Sequence, residues 1–124
     1  MTRRLTVLLA EDEALIRLDA AQMIAGAGLR VIEARSGDDA LRLAGEAPDI
    51  LVTDVEMPGA LDGVALAHAL RRDLPTLGII VTSGRQAVTA DALPPGALFL
   101  PKPYRSEELL NALARIAGGG LGGA

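Results

Sequence analysis

Short apolar runs alternate along the chain with stretches whose apolar residues recur at helical spacing. Most of the runs lack the apolar–polar alternation of a half-exposed strand, which is typical of strands buried on both faces. The predicted strands span residues 5–10, 29–34, 49–53, 77–82 and 97–100. The second run is more mixed, because Arg30 and Glu33 interrupt it, and this favours a position nearer the edge of a sheet.

Amphipathic segments follow each run and predict five helices. The predicted helices span residues 14–27, 38–47, 64–72 and 86–93, and a fifth begins at Ser106. Asp12 or a neighbour is a candidate cap for the first helix, and Ser36 to Asp39 resembles a capping box at the second. The segment 86–93 is a weak helix, because it is short, contains β-branched residues and ends at two prolines. We expect it to be the least stable element.

The strand–helix alternation, repeated five times, predicts an α/β fold with a parallel sheet covered on both faces. Right-handed crossovers leave few topologies, and the flavodoxin-like (βα)5 doubly wound sheet with strand order 2-1-3-4-5 is the expected one. Residues 1–117 are expected to form a single domain. The glycine-rich residues 118–124 are expected to be a disordered tail.

Composition narrows the possible partners and the compartment. The net charge is −4 and the pI about 4.9, which argues against nucleic-acid binding through a basic face. Cysteine is absent, so disulfides and thiolate metal sites are excluded. No apolar segment reaches the roughly 20 residues that a membrane span needs. These features predict a soluble, cytoplasmic protein without membrane partners.

Chemically active side chains follow four of the predicted strands. Glu11 and Asp12 follow the first strand, Asp54 the third, Thr82 the fourth and Lys102 the fifth. The carboxyl ends of parallel strands share one edge of the sheet, where open α/β folds bind ligands, so these side chains should converge.

Three carboxylates in one cleft need a cation, and an oxygen-only ligand set without His or Cys suits Mg²⁺ before Ca²⁺. A lysine and a hydroxyl beside such an ion would stabilise the oxygens of a transferring phosphoryl group. The chemistry implied is attack by a carboxylate on phosphorus, which gives an aspartyl phosphate.

These motifs together resemble the response-regulator receiver domains of two-component signalling, over residues 5 to about 117. The resemblance rests on five features: the acidic pair Glu11-Asp12, the stretch from Asp54 to Pro58, the pair Asp62-Gly63, the Val-Thr-Ser of the fourth strand, and Lys102-Pro103-Tyr104.

The resemblance implies a role for each matching residue. Asp54 would be the phosphoacceptor. Asp12, Asp54 and the backbone carbonyl of Glu56 would bind Mg²⁺ directly, with Glu11 acting through water. Thr82 and Lys102 would contact the phosphoryl group, and a cis peptide bond would precede Pro103.

The same resemblance implies a phosphorylation switch. A histidine kinase or a histidine phosphotransfer protein would phosphorylate Asp54, Thr82 and Phe99 would move, and the surface of helix four, strand five and helix five would repack for a downstream protein partner. The domain would catalyse its own phosphorylation and dephosphorylation without being a turnover enzyme. Because no output domain is evident, the output is expected to be a protein contact or onward phosphoryl transfer.

Two departures from the family pattern concern the site. The loop from Met57 to Gly63 is one residue longer than the usual form, and Phe99 replaces the more frequent tyrosine. Glu56 lies where it could reach the phosphoryl group and tune its lifetime.

Simpler interpretations exist for single residues. The acidic pair could only cap a helix, Lys102 could be solvated, and Phe99 could be plain core. His68 is interpreted as structural. Two other functions are also open: a scaffold that keeps the fold without phosphorylation, and a phosphohydrolase in which Glu56 is the general acid.

Overall fold

Five parallel strands form the centre of the molecule. A computed structural model describes residues 4–85 and 87–120 of the chain. The strands are β1 (Thr6–Ala10), β2 (Arg30–Ala34), β3 (Ile50–Asp54), β4 (Gly78–Ser83) and β5 (Leu98–Pro101). They pair in the order β2-β1-β3-β4-β5, all parallel. The flavodoxin-like topology is therefore confirmed, and the mixed strand β2 lies at an edge as its sequence indicated.

Four α-helices and two short 3₁₀ turns connect the strands. The helices are α1 (Ala14–Gly26), α2 (Gly37–Leu43), α3 (Gly63–Asp73) and α4 (Ser106–Gly120), and the 3₁₀ turns are Ala44–Glu46 and Ala90–Ala92. Helix α4 continues three residues beyond 117, where the glycine-rich tail was expected to begin. Residues 121–124 of that tail lie outside the described residues. No helix in the described ranges is long and apolar enough to cross a lipid bilayer.

The prediction of a fourth helix over residues 86–93 is wrong. Residues 87–89 have no regular structure, and one 3₁₀ turn follows at Ala90–Ala92; Gln86 itself lies outside the described residues. Val88 and Thr89 lose side-chain rotamer freedom in a helix, and so short a segment gains little to offset the cost of helix nucleation. Between β4 and β5 the crossover is therefore an irregular segment, residues 87–97.

Side chains of α3 hold this irregular segment in place. His68 Nε2 lies 2.8 Å from the carbonyl oxygen of Ala92, and Arg71 Nη1 donates to the carbonyl of Pro95 at 2.7 Å. Arg71 Nη2 also donates to the carbonyl of Leu77 at 2.9 Å. These contacts partly replace the hydrogen bonds that a helix would supply, and they give His68 a structural contact.

Two hydrophobic cores lie on the two faces of the sheet. Because successive strand residues point to opposite faces, Leu8 packs on one side and its neighbours Val7 and Leu9 on the other. The first core includes Leu66 and Leu70 of α3. The second core is formed against α1 and α4 by the following buried residues: Ile24, Val52, Ile80, Leu109 and Leu113. Packing on both faces thus fixes the strands and the backbone at their carboxyl ends.

Helix starts differ in how their backbone N–H groups are satisfied. Ser36 Oγ accepts from the backbone N–H of Asp39 at 3.0 Å, and Asp62 Oδ1 accepts from that of Ala65 at 2.8 Å. These bonds cap α2 and α3 as short polar side chains commonly do. The cap expected from Asp12 or a neighbour is not formed: Glu13 occupies the N-cap position of α1, and its side chain makes no cap bond.

Candidate functional site

Four strand ends bring the expected side chains to one edge of the sheet. Asp54 is the last residue of β3 and pairs in register with Thr82 of β4. Glu11 and Asp12 follow β1 directly, and Lys102 follows β5. Since β1, β4 and β5 lie beside β3 or one strand away, the topology determines this convergence.

An acidic cluster forms the floor of the cleft. Carboxylate oxygens of Glu11, Asp12 and Asp54, one from each residue, all lie within 4.8 Å of one another. Glu11 and Asp54 are only 3% and 6% exposed, whereas Asp12 is exposed. Buried carboxylates this close repel one another, so the cluster requires positive charge.

Lys102 supplies positive charge within the protein. Its Nζ lies 2.7 Å from Glu11 Oε1 and 3.2 Å from Asp54 Oδ1. Burial lowers the pKa of Lys102, but the hydrogen bond and the charge of Glu11, together with Asp54, outweigh that effect and raise the pKa above its ordinary value. Lys102 therefore remains an ammonium group. The peptide bond between Lys102 and Pro103 is cis, as the resemblance implied.

Asp54 remains incompletely satisfied despite the lysine. Burial and the negative charge of Glu11 raise the pKa of Asp54 to about 6, against the lowering effect of Lys102. Its Oδ1 is buried and accepts no geometrically acceptable hydrogen bond from the described residues. A buried anionic oxygen whose nearest donor, Lys102, is poorly directed remains costly, and a bound cation would satisfy it.

The donor set fits Mg²⁺. Glu11, Asp12 and Asp54 form an acidic pocket whose carboxylate oxygens could hold a metal ion. The ligands are hard oxygens, and Mg²⁺ takes one or two carboxylates while it keeps several waters. The unsatisfied Asp54 oxygen is the observation in this structure that favours a cation.

Thr82 lies beside Asp54 on β4, and Phe99 lies on β5, the strand beyond β4. Thr82 is 3% exposed, and its hydroxyl donates to the carbonyl oxygen of Thr53 over a long 3.4 Å. Phe99 is half-buried in β5 and packs against the core on the α2 and α3 face. A long hydrogen bond is weak, so the Thr82 hydroxyl can exchange it for a better acceptor.

Glu56 makes a contact that the sequence did not reveal. Ser83 Oγ lies 3.0 Å and 2.8 Å from the two carboxylate oxygens of Glu56 and donates its proton to them. The same Oγ accepts from the backbone N–H of Arg85 at 3.2 Å. Glu56 therefore lines the cleft with its side chain directed toward the end of β4. The Val-Thr-Ser pattern placed Ser83 at the site without indicating its partner.

Arg17 of α1 is a second residue that sequence reasoning missed. Its Nη1 donates to the backbone carbonyl of Glu11 at 2.9 Å, and its Nε pairs with Glu33 Oε1 at 3.2 Å. An arginine among the polar residues of an amphipathic helix carries no signal of such a role, because most are solvated.

The longer loop after Asp54 is fixed at its end by Gly63. The backbone N–H of Gly63 donates to the carbonyl of Val55 at 2.9 Å. A Cβ at position 63 would overlap the carbonyl oxygen of Asp54. Leu61 of this loop packs closely on Gly37, where an added Cβ would meet the Leu61 carbonyl oxygen. The Asp62-Gly63 pair thus begins α3 against the end of β3.

Comparison with known sequences gives the family. The model of the response regulator receiver domain matches residues 7–114. The sensor kinase CckA of Brucella abortus is 40% identical over 118 residues, which cover 90% of this chain and 12% of that protein. The transcriptional regulatory protein PdtaR of Mycobacterium tuberculosis is 38% identical over 112 residues, which cover 86% of this chain and 54% of that protein. The chain thus spans about half or less of the length of these curated relatives.

Solved structures agree with the sequence comparison. A response regulator receiver protein from Sinorhizobium medicae superposes with a TM-score of 0.90 at 30% identity, and the match covers 95% of this chain and 98% of that one. The receiver domain of the hybrid histidine kinase CckA superposes with a TM-score of 0.77 at 33% identity, covering 90% and 97% of the two chains. The chain therefore belongs to the response-regulator receiver domains, the phosphoacceptor signalling domains of two-component systems.

Proposed function

We propose that Asp54 accepts a phosphoryl group from a phosphohistidine, in a Mg²⁺-dependent transfer, and that the modified domain then binds a downstream protein. The observation that carries the proposal is the Asp54 carboxylate itself, which is buried beside Lys102 and two other acids. Its Oδ1 has a 3.2 Å ion pair with Lys102 but no hydrogen bond of acceptable geometry from the described residues. A histidine kinase or a histidine phosphotransfer protein would be the donor.

The reaction needs Asp54 as an anion. With its pKa raised to about 6, Asp54 is mostly ionised near neutral pH and is a better nucleophile than an aspartate of ordinary pKa. One of its oxygens forms a bond to phosphorus as the bond from phosphorus to the donor imidazole nitrogen breaks. The electron pair of the broken bond stays on the imidazole, which leaves as a neutral histidine after taking up a proton.

The acidic cluster would hold the magnesium ion. Asp12, Asp54 and the carbonyl of Glu56 would bind it directly, and Glu11 would act through water. When bound, Mg²⁺ supplies positive charge that offsets the negative phosphoryl oxygens.

Lys102 and Thr82 would complete the site after transfer. The ammonium group of Lys102, already 3.2 Å from Asp54 Oδ1, would pair with a phosphoryl oxygen. Thr82 would exchange its 3.4 Å contact with Thr53 for a hydrogen bond to the phosphoryl group. Water attack on phosphorus would later release inorganic phosphate and restore the Asp54 carboxylate, so the domain would catalyse its own phosphorylation and dephosphorylation.

The same movement would change the surface for a partner. Thr82 pairs in register with Leu100, and Val81 pairs with Phe99. A shift at the end of β4 would therefore displace the paired residues of β5. Phe99 is half-buried and would move inward. The responding surface would comprise residues 87–97, β5 and α4, with the irregular segment in the place of the expected fourth helix.

An apolar groove beside Lys102 is suited to the phosphoryl donor. Leu15 of α1 is 82% exposed, and Ile16, Met23 and Tyr104 line the same groove. An exposed apolar patch of this kind is typical of a protein contact, and this one adjoins the residue that faces Asp54.

The donor contact is tested with Leu15→Asp, which places a charge in the groove. We expect phosphotransfer from the cognate kinase to fall by about 10-fold or more, since a buried unpaired charge at an interface costs at least about 1.4 kcal/mol. Phosphorylation by a small-molecule donor should not change. Leu41→Asp, at a 40% exposed position on α2, is the matched control and should leave both rates unchanged.

The central proposal is tested by titrating the protein with beryllofluoride and Mg²⁺ while recording NMR spectra. Shifts at Asp54, Thr82 and Phe99 are expected, and Asp54→Asn should abolish them. A spectrum that does not respond would favour the alternative of a constitutive scaffold. Multiple turnover on small phosphate esters would favour the phosphohydrolase, although the contact of Glu56 with Ser83 supports a fixed position for that carboxylate.

A further inference from the structure

Arg17 joins two strands at the edge of the acidic cluster. From α1 it reaches the backbone carbonyl of Glu11, after β1, and the carboxylate of Glu33, in β2. Its side chain is only 12% exposed, although that of Glu33 is 40% exposed. A guanidinium group suits this bridge because its donors have a fixed planar geometry.

The Arg17 contact completes the hydrogen bonding of Glu11. The backbone N–H of Glu11 donates to the carbonyl of Ala34 at 3.0 Å. Its Oε1 pairs with Lys102, and its Oε2 accepts from the backbone N–H of Glu13 at 3.1 Å. With the carbonyl held by Arg17, each polar atom of Glu11 has a partner.

The Glu11 carbonyl determines the orientation of the next residue. The peptide unit between Glu11 and Asp12 is planar, so a bond to this carbonyl fixes the plane from which the Asp12 backbone departs. Asp12 is exposed and is not held by packing as Asp54 is. The planar peptide is therefore the route by which the protein can orient the Asp12 carboxylate toward Asp54.

We propose that Arg17 is a positioning residue for the magnesium site, which it organises through the Glu11 carbonyl while Glu33 anchors its other end. The proposal rests on the proposed magnesium-dependent function. Arg17 does not touch the metal or the phosphoryl group; it acts through the peptide that carries Asp12. Groups that orient metal ligands in this way commonly change metal affinity on the order of 10-fold to 100-fold when they are removed.

An electrostatic role and a positioning role of Arg17 predict opposite effects of its removal on Mg²⁺ affinity. Arg17 carries a positive charge next to a cation site, so its removal would tighten Mg²⁺ binding if Coulomb repulsion were its only effect. If Arg17 positions the ligands, its removal weakens binding. The sign of the change in Kd therefore separates the two roles.

The experiment measures the Mg²⁺ dissociation constant of the full chain by isothermal titration calorimetry with MgCl₂ and by NMR. The test variants are Arg17→Gln, which removes the charge and the bridge, and Arg17→Lys, which keeps the charge but cannot reach both partners. The matched control is Arg30→Gln at the other end of β2, where Arg30 makes an exposed 3.4 Å ion pair with Glu46. Thermal unfolding in EDTA shows that each variant is folded at the titration temperature.

We expect Arg17→Gln to weaken Mg²⁺ binding about 10-fold, Arg17→Lys to weaken it less, and Arg30→Gln to leave it within about 2-fold. If Arg17→Gln is unfolded at the titration temperature, Arg17→Lys decides the question alone. Binding by the Arg17 variants that equals or exceeds that of the wild-type protein would overturn the positioning role. A wild-type protein that binds no Mg²⁺ would instead overturn the proposed function itself.

Discussion

Asp54 is held in its folded position at a cost in stability. Its carboxylate is buried next to Glu11, and Lys102 compensates only in part, so the pKa rises from an ordinary 3.8 to about 6. Because the folded-state pKa exceeds the unfolded one, the protonated form is the one favoured by folding. Ionisation therefore lowers the free energy of unfolding progressively between about pH 4 and pH 6, and the loss stays constant above that range.

Asp54→Asn should accordingly stabilise the metal-free protein at pH 7.5. The expected gain is on the order of 2 kcal/mol, because one pKa unit corresponds to about 1.4 kcal/mol and neighbouring groups relax. The gain should vanish below about pH 4, where Asp54 is protonated in both states. Urea unfolding in EDTA at several pH values measures it.

Two comparisons make this pH prediction specific. The exposed Asp73→Asn, at the end of α3, should change stability by less than about 0.5 kcal/mol. Addition of Mg²⁺ should stabilise the wild-type protein and leave Asp54→Asn nearly unchanged. A variant that is less stable than the wild type at pH 7.5 would contradict the assigned burial cost.

At the scale of the elements, Gly63 sets the distance between α3 and β3. Gly63 is the first residue of α3, and a side chain there would meet the backbone of Asp54 and Val55, which cannot rotate away. The start of α3 can therefore lie this close to the end of β3 only because residue 63 has no Cβ.

Gly63→Ala should destabilise the protein by about 1–3 kcal/mol, the usual range for overpacking a close contact. It should also slow phosphorylation of Asp54, because relief of the overlap must displace the Asp54 backbone. Gly45→Ala is the matched control: no atom lies within 4 Å of its added Cβ. Thermal unfolding and phosphorylation rates of the two variants test the difference, and equal behaviour would refute it.

The irregular segment 87–97 depends on α3 for its position. Arg71 donates to the carbonyl of Pro95, near the end of this segment, and to the carbonyl of Leu77, just before β4. Arg71→Gln should therefore raise amide hydrogen exchange across residues 87–97 by about 10-fold, which corresponds to about 1.4 kcal/mol of lost local stability. Arg72→Gln, at the exposed neighbouring position, should leave exchange unchanged. Amide exchange at the wild-type rate in both variants would show that packing holds the segment without Arg71.

At the scale of the whole molecule, strand pairing connects Asp54 to the β5 edge of the sheet. Asp54 pairs with Thr82, and Thr82 pairs with Leu100, so three adjacent strands connect the site to β5. In β5, residues Leu98, Phe99 and Leu100 are half-buried, and this edge is less tightly packed than the buried strands β1 and β3. A two-state change is expected where packing is weakest.

Thr82→Ala should allow phosphorylation of Asp54 but prevent the expected two-state change in β5. Beryllofluoride and Mg²⁺ should still shift resonances around Asp54, whereas the shift at Phe99 should be lost, because no hydroxyl remains to follow the phosphoryl group. NMR spectra of the bound state test this, with the exposed Thr76→Ala as control. A full shift at Phe99 in Thr82→Ala would exclude Thr82 as the link.

The sequence by itself determined the sheet and the identity of its reactive edge. Residue type reports burial directly, so unbroken apolar runs indicated the buried strands, and the order of runs and helices indicated a doubly wound topology that the structure confirms. Acids, a threonine and a lysine placed just after those runs had to meet, because parallel strands end at the same edge. The contents of the acidic cluster were therefore predictable before any distance was known.

Only the tertiary structure decided which side chains form hydrogen bonds and ion pairs with one another. The pairing of Lys102 with Glu11, of Ser83 with Glu56 and of Arg17 with the Glu11 carbonyl joins residues from different elements. The absence of a helix at residues 87–93 also depends on contacts between elements. His68 and Arg71 of α3 bind an irregular path there, where helix propensity was already marginal. Local pattern reports how deeply a residue is buried, but a hydrogen bond between distant residues depends on distances and angles that arise only when the helices pack on the sheet.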